Sequence, residues 1–118
     1  MTAYQNGEQT FRKSERLRKR PQFLHTRRRG RRAGGRWVVV YAVSNDLDHS
    51  RLGVTVSKRV GNAVTRNRWK RRLREIFRRQ KECFGDHFDI VIIVKPKGAQ
   101  PSFDALQNDV LKTVGRAL

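Results

Sequence analysis

The sequence predicts a single α+β domain whose elements follow the order α-β-β-α-β-α. Residues 37–43 and 88–94 are rich in β-branched side chains and have the length of strands. Residues 62–84 and 102–118 carry apolar side chains at helical spacing. With 118 residues the chain can bury one core but not two.

The N-terminal third is expected to hold a tail, a short helix and a loop. Residues 1–10 are polar, small and without periodicity, so we assign residues 1–12 to a disordered tail and residues 13–118 to the domain. Pro21 fits the first turn of a helix that runs to about Arg28. The arginine- and glycine-rich stretch 27–35 predicts a mobile loop.

Two strands are expected next. In residues 37–43 the side chains of Trp37 and Tyr41 share one face. In residues 51–57 apolar side chains alternate with small ones, so one face is apolar and the other is open. The polar turn at residues 44–50 predicts that the two strands pair as an antiparallel hairpin.

The basic helix that follows is the most informative part of the sequence. Asn62 is a good N-cap, and the helix is expected to end near residues 84–85. One face is apolar and is formed by Trp69, Leu73, Ile76 and Phe77. Residues 66–79 also carry eight Arg or Lys against one acid, Glu75. Because like charges one helical turn apart repel by roughly 0.2–0.5 kcal/mol per pair, this pattern predicts a polyanionic partner.

The C-terminal part predicts a central strand and a last helix. Residues 88–94 are apolar on both faces apart from Asp89, which favours a central or covered strand that ends at Pro96. Ser102 is expected to cap a helix whose apolar stripe begins at Phe103.

The charge balance restricts the class of partner. The chain has 28 Lys plus Arg against 10 Asp plus Glu, a net charge of +18, which fits nucleic acid or an anionic membrane. The apolar runs are strand-length, far short of the ~20 residues that span a bilayer, and no secretory signal is visible. A lone cysteine, Cys83, excludes an internal disulfide and fits a reducing cytoplasm.

Catalytic motifs are weak. Cys83 and His87 have a possible zinc spacing but no second ligand pair. Asp86, His87 and Asp89 follow Gly85 and indicate turn chemistry rather than a nuclease metal site. We therefore expect no catalytic residue in this chain.

The fifteen-residue block 57–71, Ser-Lys-Arg-Val-Gly-Asn-Ala-Val-Thr-Arg-Asn-Arg-Trp-Lys-Arg, resembles the bacterial ribonuclease P protein subunit. The resemblance extends over about 100 residues, from Leu17 to the last helix, with the same order of elements. It implies a two-layer α+β sandwich like the second domain of ribosomal protein S5. It also implies a left-handed βαβ crossover through the basic helix.

The resemblance also implies a function. A large RNA would catalyse removal of the 5′ leader from precursor tRNA with Mg²⁺, and the protein would bind no cofactor itself. The chain would act as a monomer in a 1:1 complex with the catalytic RNA, in the bacterial cytoplasm and away from membranes. The implied RNA-binding residues are Arg66, Asn67, Arg68, Lys70, Arg71 and Arg74. The implied leader-binding cleft is formed by Phe23, Arg27, Tyr41 and Lys58.

Arg27 departs from the family pattern. Many members place a second aromatic residue one turn after Phe23, and this chain has Arg27 there. The change removes a stacking surface and adds a phosphate partner, so we expect more electrostatic leader contacts.

Four alternatives remain open at this point. Spacing alone favours Phe23 and Tyr41 as core residues rather than cleft residues. A structural RNA-binding protein of ribosomal type would share the charge but would need no single-strand cleft. A DNA-binding regulator or a protein-only metallonuclease would need base-reading side chains or a carboxylate cluster, and the sequence offers little of either.

Overall fold

The computed structural model describes residues 11–96 and 99–118. The helices are α1 (Arg20–Arg29), α2 (Ala63–Arg79) and α3 (Phe103–Ala117), and the strands are β1 (Arg31–Gly34), β2 (Val38–Ser44), β3 (Arg51–Thr55) and β4 (Phe88–Val94). Short 3-10 turns, Lys13–Glu15 and Lys81–Phe84, precede α1 and follow α2. All six predicted elements are therefore confirmed, and β1 is added to them.

The strands form one mixed sheet in the order β1-β2-β4-β3. β2 is antiparallel to β1 and to β4, whereas β3 is parallel to β4. The predicted hairpin of β2 and β3 is therefore wrong, because β4 lies between them. Since β4 is apolar on both faces, it is best placed in the middle of the sheet, where packed helices can cover both faces. The loop at residues 45–50 passes over its end, where the Asn45 N–H donates to the His87 carbonyl at 2.7 Å.

The parallel pairing of β3 and β4 needs a crossover connection, and α2 supplies it. This βαβ unit matches the predicted architecture, while the hand of the crossover stays a prediction.

The stretch predicted as a mobile loop, residues 27–35, is instead the last turn of α1 followed by β1. Arg32 pairs with Tyr41 and Ala33 with Val40 along the outer edge of β2. Only Ala33 of the four strand residues is buried, so no apolar alternation marks this strand in the sequence. Charged side chains on such an edge strand discourage pairing with further strands.

α2 and α3 cover one face of the sheet and enclose the core. The predicted apolar face of α2 is buried there, and Trp69 is only 4% exposed. The fully buried residues of the core come from the sheet, from α2 and from α3. They include Val38, Val40, Leu73, Ile76, Ile90, Ile92, Leu106, Val110 and Val114. On the opposite face α1 packs against β2 and β4 and leaves part of the sheet uncovered.

Both predicted helix N-caps are confirmed. The Asn62 side chain accepts a hydrogen bond from the Thr65 N–H at 2.9 Å, and Ser102 does the same for Ala105 at 3.1 Å. Each cap satisfies a backbone donor that has no partner inside the helix.

α2 ends at Arg79, earlier than the predicted residues 84–85. The chain then tightens into the 3-10 turn that buries Phe84 against Phe77, with ring centroids 4.9 Å apart. Gly85 ends the turn with φ 76°, a left-handed conformation that favours glycine.

The folded domain begins earlier than the predicted boundary at residue 13. Phe11 packs edge-to-face on Phe77 with ring centroids 5.4 Å apart. Further along, the Leu17 N–H donates to the Leu52 carbonyl at 2.9 Å, which covers part of the outer edge of β3. Phe11 and Arg12 thus belong to the domain, and the rest of the predicted tail, residues 1–10, lies outside the described residues.

Asp89 lies in β4, within the strand predicted at residues 88–94. The side chain is buried, and Arg51 donates to it twice, from Nε to Oδ1 at 2.9 Å and from Nη2 to Oδ2 at 2.8 Å. Asn45 Nδ2 donates to Oδ1 at 2.8 Å. The carboxylate therefore joins β3, β4 and the loop that connects β2 to β3.

We expect Asp89→Ala to lower the free energy of unfolding by about 3 kcal/mol, because it leaves a largely buried guanidinium without its partner. The Arg51 side chain keeps 22% exposure, which places the loss at the lower end of the range for such pairs. Urea unfolding measures the change. Asp86→Ala, at an exposed carboxylate three residues earlier, is the control and should stay within about 0.5 kcal/mol of wild type. Equal losses in the two variants would contradict this role of Asp89.

Candidate nucleic-acid interface

The basic side of α2 forms a continuous ridge. Burial of the apolar face turns the remaining side chains outward, and all six predicted RNA-binding residues are exposed or half-buried on this side. They are Arg66, Asn67, Arg68, Lys70, Arg71 and Arg74. The structure therefore brings the predicted set together on one surface.

Arg66 is partly engaged by the protein. Its Nε donates to the Gly61 carbonyl at 3.1 Å, just before the start of α2. The contact fixes the side chain at the helix N-terminus, where the helix dipole also favours an anion.

One groove lies between α2 and the N-terminal segment, and we call it the N-terminal groove. It has a volume of about 370 Å³ and is lined by Phe11, Arg16, Asn67, Lys70, Arg71, Arg74, Glu75 and Arg78. The Arg16 guanidinium lies over the Phe11 ring, 4.8 Å from its centroid. Partial desolvation and the nearby charge of Arg16 lower the pKa of Arg74. Two cations held this close favour a bound anion between them.

A second groove lies between α2 and the start of α3, and we call it the α2–α3 groove. It has a volume of about 410 Å³ and is lined by Arg68, Arg71, Arg72, Glu75, Arg79 and Phe103. Arg71 and Glu75 line both grooves, so the ridge of α2 separates two basic depressions.

Glu75 is the only acid of α2, and its own helix neutralises it. Arg78 Nε donates to Oε1 at 2.9 Å and Arg79 Nε donates to Oε2 at 2.7 Å. These hydrogen bonds, that of Arg78 first, lower the pKa of Glu75 to about 2 against the opposing effect of burial. The carboxylate therefore remains charged at neutral pH while it orients two guanidinium groups.

The opposite face of the sheet carries three of the four predicted cleft residues. Gly53, Val91 and Tyr41 are neighbours in one row across β3, β4 and β2. Phe23 from α1 lies directly over Gly53, where an added Cβ would come within 2.6 Å of the ring. Tyr41 is half-buried, and the Arg27 guanidinium lies 5.5 Å from the centroid of its ring. Phe23, Arg27 and Tyr41 thus border one surface.

Lys58 is the fourth predicted cleft residue. It is exposed in the turn that follows β3. In the described part of the chain no hydrogen bond, ion pair or ring contact joins it to Phe23, Arg27 or Tyr41. Its assignment to the cleft stays a prediction.

The structure adds residues that the sequence analysis left out. Arg32 pairs with Tyr41 across β1 and β2, so its exposed side chain extends the same row. Arg16 and Phe11 join the basic helix through the N-terminal groove. Residues 14–20 form a basic run that contains Arg16, which is a signal in the sequence, but strand β1 was missed, and with it the position of Arg32.

Two findings on the described residues concern the metallonuclease alternative and the membrane alternative. Residues 11–96 and 99–118 contain no group of three or more His, Cys, Asp or Glu side chains that could hold a metal ion. The same part of the chain has no helix long and apolar enough to cross a membrane.

Comparisons with known proteins agree with the geometry. Residues 11–118 match the family model described as Ribonuclease P. A ribonuclease P protein component from Syntrophus aciditrophicus is 49% identical over 86 residues, which cover 73% of this chain and 72% of that protein. The solved RNase P protein of Thermotoga maritima has a TM-score of 0.79 at 37% identity and covers 86% of this chain and 96% of its own. One from Staphylococcus aureus has a TM-score of 0.80 at 34% identity, with 89% and 96% covered.

We expect Glu75→Gln to remove a stabilising contribution that depends on pH. Because the folded-state pKa is lowered from 4.5 to about 2, this contribution is fully present above pH 4.5 and disappears as the pH falls through about 2. Its size is about 1 kcal/mol for two partly exposed ion pairs. Urea unfolding of both proteins, from neutral pH down to about 2, measures the difference.

The same substitution should raise affinity for a polyanion, because it leaves Arg79 without its carboxylate partner. Glu82→Gln is the control, since Glu82 is exposed and has no ion pair within the described residues. A constant difference across the whole pH range would contradict this role of Glu75.

Proposed function

Since this chain belongs to the ribonuclease P protein family, whose known role is tRNA 5′ processing, we propose that it is the protein subunit of a ribonucleoprotein that removes the 5′ leader from precursor tRNA. The observation that carries the proposal is the presence of two different surfaces on opposite faces of the sheet. One is the basic ridge of α2, and the other is the aromatic cleft beside α1.

The ridge of α2 binds the catalytic RNA in this proposal. Guanidinium groups suit phosphates because their planar fork donates two parallel hydrogen bonds. Arg68 and Arg71 are exposed on the ridge, and the exposed Asn67 that precedes them offers an amide that can bond a base edge or a phosphate. Binding of this kind depends mainly on charge and shape rather than on sequence.

The cleft binds the single-stranded leader. Unpaired bases stack on aromatic rings, and the half-buried ring of Tyr41 offers such a surface next to Val91, which is itself fully buried. Phe23 closes one side of it, while Arg27 and Arg32 bring positive charge to the other. A duplex buries its base faces and cannot use such rings, so the surface favours single strands.

We place the chemistry in the RNA. Asp89, the buried carboxylate of β4, is held by Arg51 and Asn45, and the described residues offer no cluster of metal ligands. We propose that the Mg²⁺ ions that the reaction requires are held by RNA, with no cofactor on the protein alone. We further propose that the chain acts as a monomer in a 1:1 complex with this RNA in the bacterial cytoplasm.

The decisive experiment is cleavage of a precursor tRNA by a bacterial ribonuclease P RNA at low, near-physiological Mg²⁺, with and without the protein. We expect the protein to stimulate release of the 5′ leader and to cleave nothing by itself. No stimulation of any bacterial ribonuclease P RNA would favour a structural RNA-binding protein of ribosomal type. Cleavage by the protein alone would overturn the assignment of catalysis to RNA.

We expect Tyr41→Ala to weaken binding of precursor tRNA to the holoenzyme by about 5- to 150-fold, because one stacked base contributes ~1–3 kcal/mol. Binding of mature tRNA, which has no leader, should be unchanged. Tyr41→Phe keeps the ring and is the matched control, with affinity close to wild type. Equal losses for precursor and mature tRNA would remove Tyr41 from the leader cleft.

A further inference from the structure

We propose that the α2–α3 groove holds a single unpaired nucleotide of the catalytic RNA, with its base against the Arg79–Phe103 pair and its phosphate on Arg68 and Arg71. This inference rests on the proposed function and adds a second mode of contact to it. The ridge of α2 then binds phosphates of folded RNA, while the groove beside it captures a nucleotide that leaves the helix stack.

Phe103 is the first reason for this inference. It begins the apolar stripe of α3, in which Leu106, Val110 and Val114 are fully buried. Phe103 itself is only half-buried and lines the groove. Core packing therefore accounts for one part of the ring and leaves another part beside solvent. An aromatic surface next to clustered cations is the combination that binds unpaired nucleotides.

Two arginines of the groove are already held in place. Arg79 donates from Nε to Glu75 at 2.7 Å, and its guanidinium lies 5.3 Å from the centroid of the Phe103 ring. Arg72 donates from Nη1 to the Pro101 carbonyl at 2.9 Å. Their order is established before RNA arrives, so binding loses less side-chain entropy.

The other two arginines remain available. Arg68 and Arg71 are exposed and form no hydrogen bond, ion pair or ring contact within the described residues. They lie three residues apart, which places them one helical turn apart on the same side of α2. Both can turn toward a phosphate at the mouth of the groove.

Charge and size identify the occupant. Four guanidinium groups surround one carboxylate, Glu75, which Arg78 and Arg79 already neutralise, so the groove attracts an anion. Its volume of about 410 Å³ falls in the usual range of small-ligand sites, about 300–1,000 Å³. Duplex RNA carries its phosphates on the outside and keeps its base faces stacked inside, so it would not use the Phe103 ring. An unpaired nucleotide uses both the ring and the charges.

The test uses the full-length protein and a bacterial ribonuclease P RNA that the wild-type protein stimulates. Phe103→Leu keeps an apolar side chain and removes the ring, and we expect it to weaken RNA binding by about 5- to 150-fold. The salt dependence of binding should stay unchanged, because no charge is lost. Phe103→Tyr restores a ring and should restore affinity.

Phe88→Leu is the matched control. Phe88 is also half-buried, but it lies beside Gly85 and Leu118, close to the C-terminal end of α3. The 15 residues of α3 separate its two ends by about 22 Å. This variant should bind the RNA as wild type does, and thermal unfolding should show that both Leu variants are folded.

Chemical probing of unpaired nucleotides locates the contact directly. Wild type, Phe103→Tyr and Phe88→Leu should protect one unpaired nucleotide that becomes reactive with Phe103→Leu. Arg71→Gln, at an exposed position, should expose the same nucleotide even if Phe103→Leu unfolds. Unchanged protection in Phe103→Leu, or unrelated nucleotides exposed in the two variants, would overturn the inference. A wild-type protein that neither binds nor stimulates the RNA would instead refute the proposed function.

Discussion

The position of β4 between β2 and β3 determines where both proposed RNA-binding surfaces lie. A strand that is parallel to β3 and follows it in the chain requires a crossover, and the only long helix between them is α2. The crossover carries α2 over the core face, and burial of Trp69 and Leu73 there turns its arginines to solvent. On the other face Tyr41 of β2 stays half-buried beside α1, while Val91 of β4 is fully buried. One buried strand thus fixes a basic surface on one side of the sheet and an aromatic surface on the other.

Four acidic residues help to hold the fold together. Asp109 accepts hydrogen bonds from the backbone N–H groups of Arg36 and Trp37, at 2.8 and 2.9 Å, which ties α3 to the turn before β2. Glu15 is largely buried and pairs with Lys81 at 2.9 Å, joining the two 3-10 turns.

Asp89 and Glu75 act in the same way within the sheet and α2. Glu15, Glu75 and Asp89 are each paired with a cation, and Asp109 accepts from backbone N–H groups. The net charge of +18 still favours a polyanion, because Arg and Lys outnumber the remaining acids.

Local features were predictable from the sequence, and non-local pairing was not. The apolar face of α2 and its Asn62 cap depend on residues within a few turns of one another, and both are confirmed. The hairpin of β2 and β3 was wrong because its turn signals describe only the intervening loop. Whether those strands pair is decided by β4, more than thirty residues after β3.

The candidate sites show the same division. The six predicted RNA-binding residues of α2 share a surface because helix periodicity alone places them there. Gly53 was interpreted as part of an open sheet face, whereas the ring of Phe23 packs on it. The sequence also places Phe103 in an apolar stripe, and only the packing of α3 against α2 shows that its ring stays accessible. Contacts between distant segments carry no local pattern, so they had to be seen in the structure.

The late position of the central strand has a consequence for how the chain folds. Neither β2 nor β3 has its main partner until residues 88–94 have been synthesised. An N-terminal fragment ending before β4 therefore has no complete core, and folding depends on contacts that are distant in sequence, which slows it. On the ribosome most of this strongly basic chain emerges as an open polymer. It can contact RNA as an unfolded cation before it presents either of its two surfaces.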